Sequence, residues 1–120
     1  MFDGNVADYV DQREELRAVL DGAGVQLAGV YTGGNFICAD ILNDELTRVR
    51  EAARVAAVFG AESLVVGGGA QRAAGTTDAA YQALAAALDE VTAIVKAEGL
   101  VACYHPHLTT IVENPAELAG

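Results

Sequence analysis

Two histidines separated by a single proline, His105-Pro106-His107, are the residues of this sequence best suited to chemistry. A neutral imidazole donates and accepts hydrogen bonds and changes charge near neutral pH, so it can bind hydroxyls and move protons. The pair follows an apolar run, Leu100-Val-Ala-Cys103, whose length suits a strand covered on both faces, as in a parallel sheet. Pro106 has no N–H for a ladder, so regular pairing should stop beside it and leave both rings at the strand's carboxyl end. Parallel α/β folds place their reactive groups there. The alternative is that the rings only satisfy backbone groups of the loop.

Two upstream runs end in the same way. Val25-Gln-Leu-Ala-Gly-Val-Tyr31 leads into Thr32-Gly-Gly-Asn35, which offers Tyr31, Thr32 and Asn35 as substrate-lining residues. Leu64-Val-Val66 leads into Gly67-Gly68-Gly69, with Arg72 within reach of a phosphate or hydroxyl. Glycines at Gly68 and Gly69 let a ligand approach the backbone, or they simply form a βα turn. Their spacing matches neither the dinucleotide nor the P-loop pattern, so neither cofactor is implied. Glu113 reads as a solvated loop acid.

The elements that must position these residues repeat. A helix is expected from about Val6 to Asp21, ended by Gly22 and Gly24. A second runs from Ile41 to Phe59, with Leu42, Leu46, Val49, Ala53 and Ala56 on one face. Asp40 or Asn43 is its candidate cap, and Asp44 and Glu45 suit the positive end of its dipole. A third carries Tyr81, Leu84, Leu88, Val91 and Val95 in steps of three and four, with Thr77 as N-cap. A last helix starts at Asn114-Pro115, with the proline at the first helical position.

The order is thus α-β-α-β-α-β and the start of a helix, with Gly24, Gly60 and Gly99 marking helix ends about 36 to 39 residues apart. Right-handed crossovers put the strands in sequential order with every helix on one face. A free-standing sheet of that kind has a bare face and two open edges, whereas a closed barrel hides both. The reading is an α/β fold of parallel βα repeats, one partial domain over residues 1–120 supplying about three units of a TIM-barrel-like fold.

Three stretches carry a family resemblance: Leu27-Ala-Gly-Val-Tyr-Thr-Gly-Gly-Asn-Phe-Ile37, Leu64-Val-Val-Gly-Gly-Gly69 and Tyr104-His-Pro-His107. They resemble the sugar phosphate isomerase/epimerase family of xylose-isomerase-like TIM barrels, and most closely its inosose dehydratase-like branch. The resemblance covers the middle of such a barrel. It implies a divalent metal (Mn, Co, Mg or Zn) that polarises oxygens of a sugar or cyclitol during proton transfer. His105 falls where many members have a metal-binding glutamate. It is therefore either a ligand or, with His107, a substrate-orienting or proton-transferring group. The family's other ligands come from later strands.

The chain has 120 residues and a formal net charge of −10, which argues against nucleic-acid binding. Cys38 and Cys103 have no metal-ligand spacing and read as free thiols. No signal-peptide pattern and no membrane-length apolar run is seen, so a soluble, cytoplasmic protein is expected. Two functions fit. One is part of a metal-dependent sugar or cyclitol isomerase, epimerase or dehydratase. The other is a non-catalytic truncated barrel that persists as an assembly unit. Either way the isolated chain is expected to be inactive. It should self-associate or pair with a missing barrel half, because a bare patch of roughly 400 Å² forgoes about 10 kcal/mol of burial.

Overall fold

The computed structural model describes residues 1, 9 and 11–119. The elements run α1 (Arg13–Ala23), β1 (Gly29–Gly34), α2 (Ala39–Val58), β2 (Ser63–Gly68), α3 (Asp78–Ala97), β3 (Val101–Tyr104) and α4 (Pro115–Ala119). The strands form one parallel sheet in the order β1-β2-β3, as the repeated period predicts. Of the expected beginning of the first helix, residues 6–8 and 10 lie outside the described residues, while Tyr9, Asp11 and Gln12 are not helical and α1 starts only at Arg13.

Alternation along the strands divides the sheet's two faces. Val30, Thr32, Leu64 and Val66 are buried, and Ala102 and Tyr104 pack on the same core. Against them lie Val49, Ala53 and Ala56 of α2 and Leu84, Val91 and Val95 of α3, the stripes read from the sequence. The opposite face carries Tyr31, Val65 and Val101. It has no helix over it among the described residues, and Val101 is 62% exposed.

Local chemistry explains most boundaries. Thr77 caps α3 by accepting the Ala80 N–H at 3.2 Å. Gly24, Gly60 and Gly99 take positive φ at the helix ends. Asn114 and Glu117 form a reciprocal cap on α4: Asn114 Oδ1 accepts the Ala116 and Glu117 amides, and Glu117 Oε2 accepts those of Glu113 and Asn114.

Three expectations need correction. The first strand starts four residues later than read and ends three later, because Val25 is 52% exposed in the connection and the glycines Gly33 and Gly34 pair with Gly67 and Gly68. Neither Asp40 nor Asn43 caps α2, whose N-cap is Cys38 with no side-chain bond. Glu45 does not serve the first turn of the helix dipole as expected; it is buried, with its carboxylate on the Asn35 and Phe36 amides of the β1–α2 loop.

Candidate functional site

The site is built from the open face at the carboxyl end of the sheet. β3 turns Ala102 and Tyr104 toward the core and Val101 and Cys103 away from it. His105 adds one more ladder bond, donating its N–H to Val66 O at 2.9 Å. Pro106 has no N–H with which to continue, and pairing ends as predicted. His105 is left on the open face. Its ring lies 6.2 Å from that of Tyr31, edge-on at 81°.

His107 stands beside it, with ring centroids 5.7 Å apart. Its Nδ1 lies 2.8 Å from the Leu108 carbonyl. A carbonyl only accepts, so Nδ1 holds the hydrogen, and in the neutral ring Nε2 keeps the lone pair. Tyr31, Ser63, Val65, His105 and His107 line an open depression of about 600 Å³. A phenol and two imidazoles above a partly apolar floor suit a polyol, whose C–H faces are apolar and whose hydroxyls need partners. A larger cavity, about 770 Å³, lies on the helix side between α3 and α4, lined by Tyr81, Leu84, Tyr104 and Leu118, and holds neither histidine.

The other candidates separate. Thr32 is fully buried on the helix side, so it does not line the depression. Arg72 is exposed and lies over the β1–α2 connection, with Nη2 3.3 Å from Cys38 Sγ. The glycine run is covered by protein rather than open to a ligand. A Cβ at Gly68 would meet the Phe36 ring at 2.4 Å, and one at Gly69 would meet Ile111 at 2.8 Å. Nor do they form the expected turn as a group: Gly67 and Gly68 continue β2, and only Gly69, at φ 84°, lies beyond the strand. Asn35 stands at the strand-end rim, and its carbonyl accepts the Gly69 N–H at 2.9 Å.

Three supports escaped sequence reasoning. Tyr104 donates its hydroxyl to Gly68 O at 3.0 Å, tying the strand that carries the histidines to the glycine run. Burial pushes the Tyr104 phenol above the usual tyrosine value; a hydrogen bond with Thr110 partly offsets this, and Tyr31 adds to it. Gln71 reaches Thr110 O and Glu113, while Glu113 also accepts the Thr109 N–H, so Glu113 braces the loop. Glu45 accepts two loop amides. Only the spacing Asn114-x-x-Glu117 left a readable trace of any such device. Cys38 and Cys103 are free thiols.

A metal fits poorly with these residues alone. Among the described residues no three His, Cys, Asp or Glu side chains converge, and two imidazoles fall short of the three protein ligands usual at a catalytic centre. No described helix is long and apolar enough to cross a membrane.

A family profile described as xylose isomerase-like TIM barrel matches residues 1–120. The chain belongs to that family. Its three sequential parallel strands, with helices on one face, have the arrangement of part of such a barrel. The crystal structure of the E. coli 3-keto-D-glucoside 4-epimerase YcjR, in its apo form, is similar to this member of the xylose isomerase-like family. The TM-score is 0.74 at 15% identity, over 90% of this chain and 47% of that one. The chain thus spans about half the length of that neighbour. No curated protein matches it in sequence.

Proposed function

We propose that this chain forms one wall of the substrate site of an enzyme that isomerises, epimerises or dehydrates a sugar or cyclitol by moving a proton next to a carbonyl. The observation that carries this reading is the meeting of Tyr31, His105 and His107 over one depression on the open face of the sheet. Membership in the xylose isomerase-like family supports it. The similar fold of a protein named for inverting the carbon beside a keto group supports it as well.

In this reading Tyr31 holds a substrate hydroxyl, and one imidazole takes the proton from the carbon beside the carbonyl. Return of that proton on the other face gives an epimer, return to the neighbouring carbon gives an isomer, and loss of a β-hydroxyl as water gives a dehydrated product. The resemblance of Tyr104-His105-Pro106-His107 to the inosose dehydratase-like branch favours a cyclitol over a linear sugar. His105 is this chain's candidate contribution to a divalent metal; the remaining donors would come from outside these residues.

The test is proton exchange. The protein, combined with the residues that complete its barrel, is incubated in D₂O with an inosose or a 3-ketoglucoside, and deuterium entry beside the carbonyl is followed by NMR. Entry that falls by roughly 10²–10⁴ in both His105→Ala and His107→Ala is the expected result. Entry that is indifferent to both substitutions would remove the histidines from the reaction.

A further inference from the structure

His107 opens a tight turn. The Thr110 N–H closes it on His107 O at 3.1 Å, and Thr110 Oγ1 lies 2.7 Å from the same oxygen. Thr109, the third residue of the turn, has φ 70°, while Leu108 before it keeps a negative φ. That is the signature of a type II turn, whose third position ordinarily takes glycine or asparagine. A β-branched side chain there is an outlier, so the surroundings must hold it. Glu113 does so, accepting the Thr109 N–H on Oε1. The carboxylate is braced in turn by Gln71 Nε2 at 3.2 Å, and the Glu113 N–H donates to Glu117 Oε2 at 2.7 Å.

One peptide joins this clamp to the imidazole. In a trans peptide the C=O and the N–H point opposite ways, and the described peptides are trans. With its N–H on Glu113, the Leu108–Thr109 peptide turns its carbonyl toward the His107 ring, where Leu108 O lies 2.8 Å from Nδ1. A type I turn, the commonest kind, rotates that peptide by roughly 150–170° and would carry the carbonyl away. Without a carbonyl at Nδ1 a neutral imidazole can place its hydrogen on either nitrogen. With one there, Nδ1 keeps the hydrogen and Nε2 is the nitrogen that can accept a proton.

We infer that Glu113 is a positioning residue: by fixing the Leu108–Thr109 peptide it sets the His107 tautomer, so that His107 Nε2 is a proton acceptor at the depression shared with Tyr31 and His105. The use of that acceptor on a carbon beside a carbonyl rests on the function proposed above; the setting of the tautomer does not.

Nitrogen NMR of the isotopically labelled full chain reads the tautomer directly, at about pH 8.5 where an imidazole is ordinarily neutral. In the unsubstituted protein His107 should carry its hydrogen on Nδ1. Glu113→Ala should mix the two tautomers and raise hydrogen exchange at the Thr109 amide about tenfold, with the Val95 amide unchanged. Glu113→Gln keeps an acceptor and should leave the tautomer in place. Thr109→Gly added to Glu113→Ala should restore it, because glycine takes a positive φ unaided. In the barrel-completed deuterium assay with an inosose, Glu113→Ala should slow entry about tenfold and the added Thr109→Gly should recover it. A His107 hydrogen that stays on Nδ1 in Glu113→Ala, or a tautomer that Thr109→Gly fails to restore, would overturn the inference. So would deuterium entry that needs His107 but ignores Glu113→Ala. Entry indifferent to His107→Ala would instead remove His107 from the proposed reaction and leave the tautomer result standing.

Discussion

The Tyr31 hydroxyl occupies the space that a side chain at Gly67 would fill: an ideal Cβ there would stand 2.1 Å from Oη. The two residues lie on neighbouring parallel strands, two positions out of register. The phenol is thus laid along the sheet toward its carboxyl end, and the ring edge meets His105. Glycine at position 67 is what permits that orientation.

Replacing Gly67 by alanine should therefore act on the site more than on the fold. The added methyl displaces Tyr31, and overpacking of this kind costs about 1–3 kcal/mol. The expected outcome is a modest drop in the urea midpoint together with a shift of the His105 ring signals. If the His105 signals match those of the unsubstituted protein, Tyr31 is not held in place by Gly67.

Tyr104 should make stability depend on alkaline pH. Its phenol is pushed above the usual value, chiefly by burial. Below about pH 10 it is neutral in both the folded and the unfolded chain, and the bond to Gly68 O is fully available. As pH rises through that value the unfolded chain ionises first, so the folded state loses stability until its own raised pKa is passed. Urea unfolding at about pH 9 and about pH 11 should show a steeper decline for the unsubstituted protein than for Tyr104→Phe. Parallel declines would show that Tyr104 contributes nothing to the pH dependence.

The bare face predicts association. Val101 is 62% exposed on the third strand, next to Tyr31 and Val65 on a surface with no helix over it among the described residues. Exposed strands with apolar side chains pair with whatever matches them. The 120-residue polypeptide alone should sediment faster than a monomer as its concentration rises, and Val101→Lys should return it to monomer size. Concentration-independent monomers without the substitution would show that the face is tolerated in water.

Metal retention is the complementary measurement. With two imidazoles 5.7 Å apart and no third donor converging among the described residues, Mn²⁺ should be lost from the isolated chain on dialysis. Whatever weak Zn²⁺ binding occurs should disappear in His105→Ala. Mn²⁺ retained through dialysis would mean that a ligand set exists beyond the histidine pair.

What the sequence disclosed, it disclosed through periodicity and punctuation. The apolar stripes of α2 and α3, the Thr77 cap and the stop at Pro106 are local signals, and each stands where it was read. Gly33 and Gly34 misled the reading because glycine usually breaks strands. Here the ladder continues through them, since Tyr31 and Phe36 pack where their neighbours' side chains would be. Thr32 and Asn35 look alike as small polar residues after an apolar run, yet one is buried in the helix-side core and the other turns at the rim. A single residue of strand phase decides between those fates. Glu45 was invisible for another reason: its partners are backbone amides far from it in sequence, and no side-chain pattern announces them.

The sheet order has a consequence for how the chain is made. Each strand pairs only with the one before it, and α2 and α3 pack on strands and on one another without any long return of the chain. Ribosomal synthesis delivers the segments in that same order. β2 can dock on β1 while α3 is still being translated, and β3 can dock on β2 as soon as it emerges. Nothing in the described sheet has to wait for a distant carboxyl-terminal strand to wedge between two strands already joined, so its three strands can assemble vectorially on the ribosome.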